Sequence, residues 1–511
     1  MSPRNSVIVA LLILVALGAY VYFGGDDGGG GGASQRSQNA ASVTVLSLPR
    51  DEVTAIAIER RDGTVVRLVR DGGDVAASAG EVSGGTSAAE AADVAGGNAG
   101  SGGSGSGSEW RLVEPVVWKA DGVRVSSMLG VLTDFAAERV LAEGGEPASE
   151  VASGGGVQDL AAYGLDDPEV VVTVSTDRGA TRIEIGERTP IGAAYYARLA
   201  GEDRIFTVAS YRVDPFLRPV LDYRDRSVLS FATSEVRRLE VATGRSVVVA
   251  EAEGDGLEWN LVEPLEHPAN PDAINELLTP LASLVAQEFI DDPESLAAYG
   301  LEEPQAVVRL VWEREGTGRF DRTLYVGNAK DERTAYVKTE GDTVFVVALD
   351  PSLYHQASAQ SLALMDLVRT NDIFTRHIEL HTATGLSLEL NKTEEPRIIW
   401  TRGDGLVVPP SMMTEFLGAL IAIDAQDLGR PLAPGEAESL QYVTLKMEPP
   451  PGSKPDAPSR VVRFGAPDEN GQVQVVSNDR ERIYTVPVSI LEELLERAQE
   501  ILALEEEQNA D

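Results

Sequence analysis

The stretch EWRLVEP at residues 109–115 returns as EWNLVEP at residues 258–264, a shift of 149 positions. Further along, LAAYGLDDP at residues 160–168 returns as LAAYGLEEP at residues 296–304, now shifted by 136 positions. The first copy therefore carries 13 extra residues, which we place in its Gly-rich loop near residues 144–156. Two matches in the same order indicate that the chain is built from a repeated unit.

A third and less complete copy follows the first two. Its matches keep a constant shift of 139 positions, as RIFTV at 204–208, TVFVV at 343–347 and RIYTV at 482–486 show. Trp400 belongs to this copy, but the Tyr-Gly-Leu element does not occur in it. We therefore interpret the third copy as shortened or degenerate.

Low-complexity tracts complete the division of the chain. The Gly/Ser/Ala-rich residues 71–108 take the place of a short turn in the second copy, so we interpret them as a disordered loop insertion within the first module. The sequence thus predicts a cytoplasmic N-terminus at residues 1–6, an anchor at 7–23, a Gly-rich tether at 24–41, modules at 42–226, 227–365 and 366–505, and an acidic tail at 506–511.

Each module contains both strand and helix patterns. Alternating apolar residues predict a hairpin at 53–58 and 65–69, and a four-strand meander between residues 170 and 208. Apolar residues at helical spacing lie between them, namely Val125, Met128, Leu129, Leu132, Phe135, Ala136 and Val140, and in the second copy Ile274, Leu277, Leu278, Leu281, Leu284, Val285 and Phe289. A helix is expected to close each unit, at 213–221, from 351 onward, and at 489–504. The predicted fold class is α+β, with three tandem modules of antiparallel β-meander and packed amphipathic helices, preceded by one N-terminal transmembrane helix.

The repeated motif residues have structural explanations. Proline ends the Trp-x-Leu-Val-Glu strand because it cannot donate a ladder hydrogen bond, and the glycine of Tyr-Gly-Leu supplies the left-handed residue that stops a helix. The paired acids Asp166 and Asp167 fall in a predicted solvated turn rather than a catalytic site. The structural motif residues are Trp110, Pro115, Tyr163, Gly164, Leu165 and Pro168, with Trp259, Pro264, Tyr299, Gly300, Leu301 and Pro304 in the second copy.

Residues 7–23 form an uncharged apolar stretch that, as a helix, reaches roughly 25 Å and nearly crosses a hydrocarbon core. Arg4 precedes it and Asp26 and Asp27 follow, so the positive-inside rule leaves the N-terminus in the cytoplasm. A cleaved secretory signal, cut near Ala16 to Ala19, is the alternative. The aromatic residues at 20, 22 and 23 favour an anchor. We therefore expect a single-pass protein of the cytoplasmic (inner) membrane whose bulk is extracytoplasmic or periplasmic.

Composition excludes several function classes. A net charge of −38 argues against nucleic acid, because phosphate binding needs clustered Lys and Arg. The absence of cysteine in all 511 residues removes disulfides, thiol catalysis and thiolate metal sites. The sequence has no nucleophile elbow, phosphate loop or EF-hand loop, so we predict no catalytic residue and no cofactor. A hydrolase built from distant carboxylates stays open, since such a pair leaves no local signature.

One pair of histidines has the spacing of a zinc site. His377 and His381 are separated by four residues, which brings two ligands together on a helix. The segment alternates like a strand, however, and aligns with residues 237–241 of the second copy. In a strand this spacing separates the side chains by about 13 Å, so we predict no metal site here.

The order of anchor, hairpin, Trp-x-Leu-Val-Glu-Pro strand, amphipathic helix, Leu-x-x-Tyr-Gly-Leu-x-x-Pro element and strand meander resembles the bacterial family catalogued as domain of unknown function 4340. The likeness covers both complete copies, from about Val43 to Leu362, while the third copy lacks the Tyr-Gly-Leu element. This resemblance implies an envelope protein, often encoded near transporter components that look like auxiliary parts of gliding-motility-type ABC systems.

The leading hypothesis is a non-enzymatic extracytoplasmic scaffold or binding protein, accessory to an ABC-transporter or gliding-motility-like envelope complex. Its expected partners are the membrane and envelope or transporter proteins, and no nucleic acid. The alternative is an envelope hydrolase that acts on glycans or peptides through convergent carboxylates. A third hypothesis, a ligand-binding protein, predicts an apolar cleft at the seams between repeats.

Overall fold

The computed structural model describes residues 43–71, 109–142, 160–254, 258–369, 375–393, 398–449 and 458–505. The predicted anchor, the tether, the acidic tail and all but the first residue of the Gly/Ser insertion lie outside the described residues. Within the described ranges, no helix is long and apolar enough to cross a membrane. The chain divides into unit 1, formed by residues 1–79, 110–116 and 122–220, and unit 2, formed by residues 80–109, 117–121 and 221–511.

The first sheet has nine antiparallel strands. They are β2 (Val53–Arg60), β3 (Val65–Arg70), β4 (Trp110–Glu114), β5 (Trp118–Lys119), β7 (Arg139–Ala142), β8 (Val170–Thr176), β9 (Gly179–Arg188), β10 (Ala194–Leu199) and β11 (Ile205–Ala209). Their order is β5-β4-β3-β2-β8-β9-β10-β11-β7. Two more strands, β1 (Val43–Leu46) and β6 (Phe135–Ala137), pair with each other. The predicted hairpin and the predicted four-strand meander are both present.

The second sheet repeats this plan. Its strands are β12 (Val236–Thr243), β13 (Val247–Glu253), β14 (Glu258–Glu263), β15 (His267–Pro268), β16 (Ala286–Ile290), β17 (Ala306–Arg314), β18 (Gly318–Ala329), β19 (Ala335–Lys338) and β20 (Val344–Val347). Their order, β15-β14-β13-β12-β17-β18-β19-β20-β16, matches that of the first sheet strand for strand.

The third sheet is also complete. It contains β21 (His377–Thr382), β22 (Ser387–Thr393), β23 (Ile399–Arg402), β24 (Val407–Val408), β25 (Arg430–Pro431), β26 (Val443–Met447), β27 (Arg460–Phe464), β28 (Gln472–Ser477) and β29 (Arg482–Pro487). Their order is β24-β23-β22-β21-β26-β27-β28-β29-β25. The third copy, which we interpreted as shortened or degenerate, therefore lacks a sequence motif but has the same nine strands as the other two.

Eight short helices accompany the sheets in the described part of the chain. They are α1 (Gly122–Thr133), α2 (Ser210–Val213), α3 (Pro271–Ala282), α4 (Pro351–His355), α5 (Ala359–Leu362), α6 (Pro410–Ile421), α7 (Glu436–Ser439) and α8 (Val488–Leu502). Single 3-10 turns lie at Leu160–Tyr163, Asp214–Phe216, Val220–Tyr223, Thr233–Glu235 and Leu296–Tyr299. The chain is thus mostly antiparallel sheet with few helices.

The amphipathic helices are shorter than their apolar spacing predicted. Helix α1 ends at Thr133, so Phe135 and Ala136 belong to β6 and Val140 to β7. Likewise α3 ends at Ala282, and Phe289 lies in β16. The helical spacing continues past each helix because the strand that follows also contributes apolar residues to the core. Periodicity alone does not mark that change of structure.

The predicted closing helix of the first module is also interrupted. Only α2 is helical there, and the Asp214–Phe216 and Val220–Tyr223 turns replace the rest. Pro215 and Pro219 explain the break, since neither residue donates a backbone hydrogen bond. The third module has no proline in the corresponding stretch, and α8 runs without a break over fifteen residues.

The longer helices, α1, α3, α6 and α8, bury apolar side chains in the cores of the modules. In α3 the buried side chains are Ile274, Leu277, Leu278 and Leu281, and they join one core with Trp259 and Trp312. The opposite face of the second sheet is polar, as shown by the Arg309–Asp321 ion pair at 2.7 Å. The modules are therefore two-layered, and one sheet face is available to solvent or to a partner.

Candidate functional site

The tryptophan motif supports the sheet rather than a reaction centre. Trp110 and Trp259 are buried in β4 and β14, and both strands end at the glutamate before the proline, as the sequence predicted. The peptide bonds that precede Pro115 and Pro264 are cis. No catalytic or cofactor group is predicted among these residues, and their contacts are those of a core.

The Tyr-Gly-Leu element forms a tight turn against the sheet. Gly164 and Gly300 have φ of 64° and 67°, which is the left-handed conformation the sequence predicted, and the leucine that follows each is buried. The turn lies so close to β9 and β18 that a Cβ at Gly186 or Gly327 would stand 2.2 or 2.3 Å from a backbone oxygen of the turn. The helix that the glycine stops is a single 3-10 turn in both copies.

The third copy keeps this arrangement without the motif. Helix α7 takes the place of the 3-10 turn, and Leu440 is buried as its counterparts Leu165 and Leu301 are. A Cβ on Gly465 would lie 3.1 Å from the Leu440 side chain, much as one on Gly327 would approach Leu301 at 3.0 Å. The leucine and the sheet glycine are therefore the part of the element that the fold retains.

The two histidines with zinc-like spacing lie on strand β21, as predicted. Ile378 pairs with Met447 as Leu239 pairs with Leu310, so His377 corresponds to Arg238 and not to Arg237. The alignment made from sequence was therefore off by one residue. Among the described residues, no group of three or more His, Asp or Glu side chains is arranged to hold a metal ion.

Glu379 lies between these histidines in a polar row on β21 and hydrogen-bonds to His377. His377 Nε2 lies 2.9 Å from Glu379 Oε1, and His381 Nε2 lies 3.8 Å from the other carboxylate oxygen. The Lys446 ammonium donates to Glu379 at 2.9 Å and lowers the pKa of that carboxyl. Burial lowers the pKa of His377, but hydrogen bonds to Asn391 and Glu379 outweigh it and leave the pKa raised. The row resembles the ion pairs on the same face of the second sheet.

At two places in unit 2, buried polar and aromatic side chains of consecutive modules contact one another. We call these places the first junction, around Trp118, and the second junction, around His267. In the first junction the Trp118 ring meets Phe289 and Phe345 edge to face, at centroid distances of 5.4 and 6.0 Å. The Arg224 guanidinium lies 4.6 Å from the Trp118 ring and 3.7 Å from Phe289. It also donates two hydrogen bonds of 2.8 Å to Asp291, although only 4% of Arg224 is exposed.

The second junction uses different residues at equivalent places. His267 lies in β15 where Trp118 lies in β5, and Tyr484 lies in β29 where Phe345 lies in β20. The Tyr484 hydroxyl donates to His267 Nε2 at 2.9 Å, and His267 Nδ1 donates to the Pro268 carbonyl at 2.7 Å. The buried Arg480 covers the Tyr484 ring at 5.4 Å and donates to the carbonyl of Leu364 at 2.7 Å. Its other terminal nitrogen donates to the Asp366 carbonyl.

The backbone hydrogen bonds of the two junctions are the same. Asp225 N donates to Lys119 O at 2.8 Å, as Leu364 N does to Pro268 O. A second pair of equivalent bonds comprises Val228 N to Leu284 O at 2.8 Å and Leu367 N to Ile423 O at 2.9 Å. A third comprises Ala286 N to Arg226 O and Ala425 N to Met365 O. One backbone connection therefore occurs twice, with two different sets of side chains.

Sequence reasoning missed these junction residues. A signal for them exists, since the shift of 149 aligns Trp118 with His267 and the shift of 139 aligns Phe345 with Tyr484. The residue types differ at both positions, so a search for identity passes over them. The ligand-binding hypothesis predicted an apolar cleft at the seams between repeats. At the junction residues just described, the aromatic rings and guanidinium groups contact one another directly.

The stability of the second junction is expected to depend on pH through His267. Burial lowers the pKa of His267 from its usual 6.5, and the nearby Arg480 and Arg482 lower it further, against the effect of the Pro268 hydrogen bond. Between the lowered folded pKa and 6.5, the unfolded chain binds more protons, so stability falls as pH falls through this window. We expect His267→Gln, which does not titrate there, to lose less stability than the wild type between pH 7.5 and pH 5.5.

Urea unfolding of the full chain at the two pH values measures this difference. His381→Gln is the matched control, because it makes the same substitution at an exposed histidine on β21, outside the junction. Equal losses of stability in wild type and His267→Gln would show that the junction histidine does not contribute.

Two distant acids meet beside the second junction. Asp366 and Asp424 are bridge partners in an antiparallel pair, and the flanking bonds of 2.9 Å make theirs the non-hydrogen-bonded position. Side chains at such positions have Cβ atoms about 4.5–5.5 Å apart. Partial burial and the charge of Asp366 raise the pKa of Asp424. These are two carboxyl groups, 58 residues apart in sequence, that the fold brings together.

Comparison with known proteins gives a family but no activity. A family sequence model described as "Domain of unknown function (DUF4340)" matches the chain twice, over residues 110–292 and over residues 259–446. The two matches begin at Trp110 and Trp259, the tryptophans of the repeated strand motif. No curated protein and no solved structure matches the chain.

Proposed function

The chain belongs to the domain of unknown function 4340 family, and from that membership we propose that it is a membrane-anchored extracytoplasmic scaffold or binding protein. In this proposal it has no enzymatic activity and is accessory to an ABC-transporter or gliding-motility-like envelope complex. The observation that carries it is the junction that recurs twice in unit 2 with the same backbone bonds. Repeated modules that are joined by equivalent contacts suit binding more than catalysis.

The polar sheet faces supply a contact surface. The second sheet carries Arg309 and Asp321, and the third carries Glu379 and Lys446, all of them in charge-assisted hydrogen bonds between neighbouring strands. Such ordered charges favour specificity and orientation in protein contacts. The sequence of residues 7–23 supports the anchor, although that stretch lies outside the described residues.

Co-purification tests the proposal. The full chain, affinity-tagged at its C-terminus, is extracted from membranes in mild detergent, and we expect one or a few envelope or transporter proteins to be recovered in stoichiometric amounts. The double variant Arg309→Ala and Lys446→Ala should weaken recovery at least tenfold, since each removes an ordered charge from a polar sheet face. A matched control, Arg497→Ala on helix α8, should not. Recovery of no envelope or transporter protein contradicts the scaffold proposal.

One observation favours a second candidate, an envelope hydrolase acting on glycans or peptides. Asp366 and Asp424 stand opposite each other, and a raised pKa on one member suits a general acid. The test is hydrolysis of cell-wall glycan and peptide substrates by the purified full chain. Turnover that Asp424→Asn lowers at least a hundredfold would support the hydrolase, whereas no turnover by the wild type would eliminate it.

A further inference from the structure

Three large apolar side chains protrude at one end of unit 1. Ile191 is 93% exposed, Val123 is 77% exposed and Tyr211 is 67% exposed. Val123 lies in the first turn of α1, Ile191 lies on the turn between β9 and β10, and Tyr211 lies in α2. Ser210 N donates to Ala193 O at 3.0 Å, which brings the Ile191 turn beside α2. We call the surface formed by Val123, Ile191 and Tyr211 the apolar tip.

Arginines surround the apolar tip. A surface cavity of about 270 Å³ lies between α1 and the segment after α2, and its lining residues are Arg124, Ser127, Tyr211, Asp214, Pro215 and Arg218. Helix α1 with the following Asp134, the turn at 188–193 and residues 210–220 together contain four arginines (Arg124, Arg188, Arg212 and Arg218) and two acids, Asp134 and Asp214. Arg212 also pairs with Asp134 at 3.6 Å. On a chain of net charge −38 this is a locally basic surface.

The other modules carry no such tip at the equivalent positions. The repeat shifts align Val123, Ile191 and Tyr211 with Asp272, Glu332 and Asp350 in the second module, and with Ser411, Asn470 and Ser489 in the third. The fold therefore accepts acidic or polar residues at all three positions. Exposure of apolar side chains to water is energetically unfavourable. A group of three of them on one surface therefore indicates a binding site.

The charges of the equivalent elements are reversed as well. In the second module, α3, the turn at 329–334 and residues 349–359 contain five acids against two basic residues, which are Asp272, Glu276, Asp331, Glu332 and Asp350 against Lys330 and Arg333. In the third module, α6, the turn at 467–472 and α8 contain seven acids and only Arg497 as a base. The basic, apolar-tipped surface thus belongs to the first module alone.

We propose that the apolar tip docks onto a lipid bilayer that contains anionic phospholipid, an inference that rests on the proposed membrane anchor. Val123, Ile191 and Tyr211 enter the interfacial region, where apolar and tyrosine side chains are stable. Two arginines, Arg124 and Arg218, line the cavity against one acid, Asp214, and basic residues near a negative surface add to the attraction. The acidic elements of the other modules would be repelled by the same surface.

The position of the first described residues supports a membrane as the partner. The described residues begin at Val43, and Thr44 Oγ1 donates to Asp134 Oδ1 at 3.0 Å, on the same residue that pairs with Arg212. The Gly-rich tether that the sequence predicts at 24–41 lies just before Val43 in the sequence. Gly-rich linkers of 18 residues have a root-mean-square end-to-end distance of roughly 23 Å, so the predicted anchor would hold Val43 close to the membrane.

A single cysteine tests the proposal directly, because the natural chain has none. Ile191→Cys in the full chain is labelled with an environment-sensitive fluorophore and reconstituted into phosphatidylcholine vesicles with or without phosphatidylglycerol. We expect the emission to shift to shorter wavelength, and to be quenched by spin-labelled lipid, in the anionic vesicles. The matched control is Glu332→Cys at the equivalent turn of the second module, whose label should remain in water in both vesicles.

Charge variants complete the experiment. Adding Arg124→Glu and Arg218→Glu to the labelled chain should reduce the response at least tenfold, on the order expected from reversing two charges near an anionic surface. A label at residue 191 that stays in water on anionic vesicles, or one at residue 332 that responds equally, overturns the proposal. Flotation of the chain with the vesicles reports the anchor separately, so loss of the anchor and loss of tip docking give different results.

Discussion

Replacing Arg224 by alanine is expected to lower the free energy of unfolding of unit 2 by about 3 kcal/mol. The guanidinium lies against the rings of Trp118 and Phe289 and makes a bidentate pair with Asp291. Its removal ends both cation–π contacts and leaves a partly buried carboxylate without its partner. The side chain of Asp291 is 34% exposed, so water recovers part of the loss and the expected effect stays at the low end for a buried pair.

Peptide-level hydrogen exchange on the full chain measures this effect. A loss of about 3 kcal/mol corresponds to exchange faster by a factor of roughly one hundred in the segments that form the first junction. Arg309→Ala is the matched control, since it also removes a bidentate arginine–carboxylate pair but one whose side chains are 49% and 44% exposed. That pair should contribute no more than about 1 kcal/mol. Similar changes for the two variants would show that Arg224 acts only as a surface charge.

The strands were the most predictable part of this fold. Period-two alternation located the hairpin β2–β3 and the meander β8 to β11, because one face of each sheet is buried and the other is solvated. The ends of the helices were less predictable. Thr133 and Ala282 end their helices inside a continuous apolar pattern, and only the tertiary core decides which residues there become strand.

The junctions could not be predicted from either pattern. Their backbone bonds are common to both, yet Trp118 is replaced by His267 and Phe345 by Tyr484. In the first junction a tryptophan packs among aromatic rings. In the second junction a hydrogen-bonded histidine–tyrosine pair fills the equivalent positions. The position of the buried cation differs too, since Arg224 comes from the end of the first module and Arg480 from the loop before β29. The repeat shifts align Trp118 with His267 and Phe345 with Tyr484, but only the fold shows that each pair of positions forms a buried junction.

The same reasoning explains why a degenerate sequence copy kept a complete sheet. In the third module the turn has no glycine in left-handed conformation at the position of Gly164, but Leu440 still fills the space beside Gly465. This contact needs only a leucine on the turn and a residue without a side chain on the sheet. It is therefore retained where the other residues of the six-residue motif are lost. The Tyr163–Tyr196 and Tyr299–Tyr336 ring pairs, each at 4.9 Å, belong to the two copies that keep the full motif.

A methyl group added at Gly327 should test that interpretation with a large effect. The Cβ of Gly327→Ala would stand 2.3 Å from the carbonyl oxygen of Tyr299, a backbone atom that cannot move without lifting the whole turn from β18. We expect a loss of about 3 kcal/mol in the free energy of unfolding, measured by urea titration of tryptophan fluorescence. Gly244→Ala is the control, because nothing lies within 4 Å of the position that its methyl group would take and its backbone is not left-handed. If both variants unfolded at the wild-type urea midpoint, the turn would not pack on the sheet as described, and the leucine–glycine contact would lose its role in holding the repeats' common fold.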